Sequence, residues 1–224
     1  MTTAIAISRI HYPVTTLGPG QRVGIWMQGC SIRCPGCISM DTWAHGLGMT
    51  TVDDVMAAIR RWLTCAEGVT ISGGEPFDQP EALAVLLGLI RAASAADILV
   101  FTGYPREALA PNLERLNGLL DAVITDPFDR LASQTRALRG SDNQRLHLLT
   151  PLGMERLASY ERTADARESN LDIMFDEGGA VWLAGIPNRS DLRRLQSLLQ
   201  LQGHDIAVSE DGRANFRRAG VAEG

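Results

Sequence analysis

Gly29-Cys30-Ser31-Ile32-Arg33-Cys34-Pro35-Gly36-Cys37 gathers three of the chain's four cysteines into eight residues, spaced C-x3-C-x2-C. Thiolates this close, in a loop loosened by Gly29, Pro35 and Gly36, can converge on one soft metal centre. A closed zinc or iron–sulfur site takes four protein ligands, and this loop offers three. The fourth cysteine, Cys65, lies far along the chain in a helical pattern and reads as a small buried hydrophobe. Three thiolates fit a [4Fe–4S] cluster with one iron left open for a small molecule. A structural zinc loop, completed by Cys65 or a histidine, is the alternative that the cysteines alone leave standing.

A second stretch bears on that choice. Val69-Thr70-Ile71 reads as a short strand, and Ser72-Gly73-Gly74-Glu75-Pro76 breaks from its C-terminal end. Glycines at a strand end let backbone approach a ligand, and ligands of α/β sheets bind at strand C-termini. Glu75 would pair with a ligand ammonium or organise the turn. A zinc loop gives no reason for this second element.

Together the two motifs resemble the radical S-adenosylmethionine (SAM) superfamily. That resemblance implies that Cys30, Cys34 and Cys37 bind a [4Fe–4S] cluster whose open iron chelates SAM. The superfamily cleaves SAM reductively to methionine and a 5′-deoxyadenosyl radical. Gly36, Cys37 and Ile38 would contact SAM beside the cluster, and Gly73, Gly74 and Glu75 would shape its methionine end. On that basis Gly74→Val is expected to block SAM and leave the cluster in place.

The likeness narrows further. Gln28-Gly29-Cys30, Cys34-Pro35-Gly36-Cys37, Trp43 and the stretch 72–77 resemble the activating enzymes of anaerobic (class III) ribonucleoside-triphosphate reductases. Phe101-Thr102-Gly103-Tyr104, Asp126-Pro127-Phe128 and Arg139-Gly140-Ser141-Asp142-Asn143-Gln144-Arg145 follow in the same order. The resemblance spans about residues 5–150. It implies a glycyl-radical enzyme as partner and an external electron donor such as flavodoxin or ferredoxin. Ile38-Ser39 stands where a more polar or aromatic pair is expected, which bears on the substrate more than on the cofactor. The other function to weigh is a radical SAM enzyme acting directly on a small molecule or peptide, as 7-carboxy-7-deazaguanine synthase does. A third is a non-catalytic metal-binding module.

The pattern along the chain predicts an α/β fold, an incomplete (βα) barrel of the radical SAM type with mainly parallel strands. Strands are expected at 4–10, 21–28, 69–71, 97–101, 121–125 and 145–149. Residues 11–20 and 127–142 read as loops. Thr51 and Asp54 form a capping box for a helix through Leu63, and helices are expected at 79–93, from about 105, and at 151–162. The expected division is a core at 1–165, a β-hairpin and helix at 166–208, and a polar tail at 209–224. Asp176-Glu177-Gly178-Gly179 would turn the hairpin, Ser190 would cap the last helix and Gly203 would end it.

Composition sets bounds. The 224 residues are 45% hydrophobic and 21% charged, ordinary for a globular chain. A net charge of −5 argues against a nucleic-acid binder. No apolar run nears the roughly 20 residues that span a bilayer, so no membrane partner is expected. The N-terminus lacks a basic, apolar signal sequence, and the crowded cysteines do not read as a disulfide framework. A reducing cytoplasm is the expected compartment.

Overall fold

A computed structural model describes residues 3–165, 171–175, 181–188 and 191–203. The expected hairpin turn at 176–179, the cap at Ser190 and the tail at 209–224 lie outside the described residues.

Seven strands form one open sheet in the order β3-β1-β2-β4-β5-β6-β7, and no closed sheet is present among the described residues. They are β1 (Ala4–Val14), β2 (Arg22–Met27), β3 (Met49–Thr51), β4 (Gly68–Gly73), β5 (Asp97–Phe101), β6 (Ala122–Thr125) and β7 (Arg145–Leu148). The inner four, β2, β4, β5 and β6, run parallel. The crossovers carry α1 (Val52–Leu63), α2 (Pro80–Ala93) and α3 (Ala110–Arg115). The fold is therefore mixed α/β with a mainly parallel centre. β7 returns antiparallel to β6. A further parallel strand would need a helical crossover, and the loop at 126–144 supplies none.

The first strand runs four residues beyond its expected end. Pro13 has no N–H for a ladder, and the pairing with β2 shifts register between His11 and Val14. β3 is a strand that sequence periodicity did not reveal. It is three residues long and pairs with the start of β1. Thr51 caps α1 as expected, its Oγ1 accepting from the Asp54 N–H at 3.1 Å. The helix expected from about 105 begins as a 3-10 turn at Arg106–Leu109 before α3.

Alternation along the parallel strands separates the two faces of the sheet. Val23, Ile25, Val69, Ile71, Ile98, Val100 and Val123 pack in one cluster with Val55, Ile59, Leu83, Leu86 and Ile90 of α1 and α2. On the other side Leu99, Ala122 and Ile124 pack with Leu157 of α4 (Pro151–Leu157). At the starting ends of the strands, Arg22 and Asp97 are fully buried and paired at 2.7 and 3.1 Å. Arg22 also donates to Thr70 Oγ1 and to the Val69 carbonyl.

The C-terminal strands β8 (Leu171–Phe175) and β9 (Val181–Gly185) pair antiparallel in a sheet of their own, and α5 (Asp191–Leu201) follows. Gly203 has a φ of +86°, as a helix terminator needs. No helix among the described residues is long and apolar enough to cross a membrane.

Candidate iron–sulfur and SAM site

The cysteine loop leaves β2 at the C-terminal end of the parallel strands, beside the turn that leaves β4. Backbone joins the two. The Gly74 N–H donates to the Met27 carbonyl and the Glu75 N–H to the Gly29 carbonyl, both at 2.8 Å. Gly73 has a φ of +96°, and a side chain there would strike the Met27 backbone. A Cβ on Gly74 would lie 2.1 Å from the Gly29 carbonyl oxygen. The glycines are thus required by the approach of chain to chain, directly under the loop that carries Cys30.

Side chains reinforce the joint. Asp78 accepts from the Ser31 N–H at 2.8 Å, the Ser31 hydroxyl at 2.9 Å and the Tyr104 hydroxyl at 2.8 Å. Gln79 Nε2 donates to the carbonyls of Ala6 and Gln28 at 3.2 and 3.1 Å, and its Oε1 accepts from the Ala6 N–H. Neither Asp78 nor Gln79 stood out in the sequence. Their only signal is position, three and four residues past the Gly-Gly-Glu turn.

The three thiols line one cavity of about 220 Å³, together with Gly36, Ile38, Gly73, Gly74 and Glu75. Every residue singled out as a site candidate therefore lies on this wall. His45 is no part of it and instead places its ring against Gly29. Cys65 differs from its expected burial. It is exposed at the end of α1, with its thiol 3.4 Å from the Tyr12 hydroxyl. The helix ends before Cys65 and turns it outward, so it is no fourth ligand.

Glu75 is 1% exposed and its carboxylate is taken up within the chain. It accepts from the Phe77 N–H at 3.0 Å, the Thr102 hydroxyl at 2.7 Å and the Gly103 N–H at 2.9 Å. Burial, opposed by these donors, pushes its pKa up to about 7. Of the two roles the sequence left open for this carboxylate, organising the turn is the one its bonds describe.

The donor set fits an iron–sulfur cluster. Burial raises the Cys30 and Cys34 thiols and pushes Cys37 up to about 11, so bare thiolates are costly here and a cationic iron would relieve that cost. Donors are already aimed at sulfur: the Arg33 N–H at Cys30 Sγ, 3.5 Å, and the Ser39 N–H at Cys37 Sγ, 3.4 Å. Trp43 Nε1 is buried with no hydrogen-bond acceptor, and it lies where it favours the Cys37 thiolate. Among the described residues no three His, Cys, Asp or Glu side chains close on a single ion.

Comparison with known proteins agrees with this geometry. The family described as "4Fe-4S single cluster domain" matches residues 16–147. The anaerobic ribonucleoside-triphosphate reductase-activating protein of Escherichia coli K12 is 29% identical over 149 residues, 62% of this chain and 96% of that protein. Its counterpart in Enterobacteria phage T4 is 32% identical over 136 residues, 58% of this chain and 85% of that one. The pyruvate formate-lyase-activating enzyme of Listeria monocytogenes is 33% identical over 134 residues, covering 54% and 53%. Among solved structures, QueE from Escherichia coli aligns with 45% of this chain and 53% of its own at 21% identity, with a TM-score of 0.38.

Proposed function

The chain belongs to the 4Fe-4S single cluster domain family, in its radical SAM activating-enzyme branch, and from that premise we propose that it installs a glycyl radical on a partner enzyme related to anaerobic ribonucleotide reductase. The observation that carries this reading is the cavity where Cys30, Cys34 and Cys37 face the Gly73–Glu75 turn at the ends of parallel strands. Cys30, Cys34 and Cys37 would hold the cluster, and Gly36, Cys37, Ile38, Gly73, Gly74 and Glu75 would form the SAM side of the site. When bound, cluster and SAM supply reductive cleavage of the sulfonium to methionine and a 5′-deoxyadenosyl radical able to take a hydrogen atom from a glycine Cα.

The protein's own residues shape the space for that chemistry. Backbone N–H groups of Arg33 and Ser39, with the Trp43 indole, stabilise negative sulfur. Trp26, Phe101 and Phe128 give the cavity an aromatic lining. Asp78 and Glu75 hold both loops in register before any ligand arrives. The open sheet is read as the incomplete barrel of the radical SAM type, with its unclosed side left for a large substrate. An external flavodoxin or ferredoxin supplies the electron in a reducing cytoplasm.

The test is anaerobic reconstitution with SAM, a strong reductant and a candidate glycyl-radical enzyme. Release of 5′-deoxyadenosine, together with an EPR doublet on the partner, is the expected result. Turnover of a small molecule and none of any glycyl-radical enzyme would move the assignment to a biosynthetic radical SAM enzyme. Absence of 5′-deoxyadenosine under every condition would remove the SAM chemistry itself.

A further inference from the structure

The family match ends at residue 147, yet one wall of the cavity comes from beyond it. Leu183 and Ala184 of β9, Ile186 and Pro187 of the connection after it and Leu192 of α5 face the space that the three cysteines line. This wall is seated, and three joints seat it. Ala184 is 2% exposed and packs, with Ile186, against Val14, Leu17 and Trp26. Asp172 of β8 accepts from the Thr15 N–H at 2.6 Å, the Thr15 hydroxyl at 2.8 Å, and the Thr16 N–H and hydroxyl at 3.1 and 3.0 Å. The Arg9 guanidinium lies between two indoles, 5.3 Å from Trp26 of the core and 5.0 Å from Trp182 of β9. Arg9 also pairs with Asp41, four residues past Cys37, which ties the added wall to the cysteine loop.

The cavity's charge is settled internally. Three charged side chains line it among the described residues. Arg9 is answered by Asp41, and Asp126 by Arg145 at 2.7 Å. Glu75 is held by its three donors. Arg9 Nε remains buried without an acceptor, a donor that the carbonyl of an entering segment can satisfy. An anion entering here would lose its hydration and meet an aliphatic wall on one side, and among the described residues that line the cavity the one cation, Arg9, is already paired. An uncharged peptide backbone would lose far less.

We propose that the wall formed by residues 183–187 and Leu192, outside the family core, selects substrate by closing this cavity to anionic molecules and admitting an uncharged segment. The identity of that segment as a glycine-bearing loop rests on the activase reading; the wall and its charge selectivity do not.

The experiment needs neither cluster nor partner. The full-length chain, isolated without iron, is alkylated with iodoacetamide, which is neutral, and with iodoacetate, which is anionic and close in size. Labelling at each cysteine is followed by peptide mass spectrometry, and the exposed Cys65 is the internal reference. Relative to Cys65, the three cavity cysteines should prefer the neutral reagent by about tenfold or more. Trp182→Ala and Asp172→Ala loosen the wall at separate joints, and thermal melting confirms that each variant is folded. Either folded variant should speed cavity labelling about tenfold and bring the neutral preference towards that of Cys65. Equal preference at all four cysteines in the wild type would overturn the proposal. So would an unchanged preference in the folded variants. If selectivity stands but no glycyl-radical enzyme is activated, the activase reading fails alone.

Discussion

Trp43 and Glu75 show how much of the site rests on single atoms. The Trp43 indole N–H has no neutral acceptor and favours negative charge on Cys37. Trp43→Phe keeps most of the ring and removes that donor. The Cys37 thiol, already at about 11, should therefore titrate higher still in the cluster-free protein, read by thiolate absorbance. The reconstituted cluster should show a more negative reduction potential, since a hydrogen bond to its sulfur stabilises the reduced form. An unchanged thiol and an unchanged potential would show that the indole only packs. Glu75 makes a prediction of opposite design. Its folded pKa, about 7, lies above the usual 4.5, so the unfolded chain loses its proton first as pH rises. The stability tied to the neutral carboxyl is full below about pH 4.5 and is lost as pH climbs through 7. Melting temperatures of the cluster-free wild type should fall relative to Glu75→Gln across that window; parallel curves would refute the shift. That Cys30, Cys34 and Cys37 share one cavity was legible in the sequence because their spacing is local. Trp43 had only its place in a family pattern, because nothing in a sequence shows which buried N–H lacks a partner.

At the scale of elements, the site is two strand ends stitched together. Gly74 touches the Gly29 carbonyl, so Gly74→Val cannot act on SAM alone as the separate loops in the sequence suggested. The variant should lose iron from the cysteine loop as well as SAM affinity, measured by iron content and equilibrium dialysis. Full iron retention would mean that the joint yields without cost. The far ends of the same strands carry the reverse arrangement, the buried pair of Arg22 and Asp97. Asp97→Ala leaves a guanidinium buried without its countercharge and should destabilise the chain by about 3–5 kcal/mol. Chemical denaturation checks this, and a loss below 1 kcal/mol would contradict the pairing. Helix α1, strand β5 and the Gly-Gly-Glu turn were all readable from periodicity and capping. β3 and the antiparallel return of β7 were not, since three residues carry no period and strand direction depends on what the preceding loop lacks. Arg22 was equally hidden, because charge in a strand ordinarily signals a solvent face.

For the whole molecule, the segment after residue 165 changes what the sheet presents. Truncation there would uncover Val14, Leu17 and Trp26, which Ala184 now covers. The shortened chain should bind more of an apolar dye and melt earlier, and identical melting would argue that the hairpin contributes nothing to the core. Sequence patterning gave the hairpin and helix their outline and no hint of where they sit, because docking through Asp172 and Trp182 joins residues more than 150 positions apart. That separation has a temporal side. A ribosome delivers the cysteines early and Leu183 about 150 residues later, an interval on the order of ten seconds at ordinary synthesis rates. Throughout it the thiols lack their outer wall, and iron and sulfide carriers as large as proteins have room to approach. The three thiols are therefore more open to an iron donor on the nascent chain than in the finished fold, where β9 and α5 cover one side of the cavity.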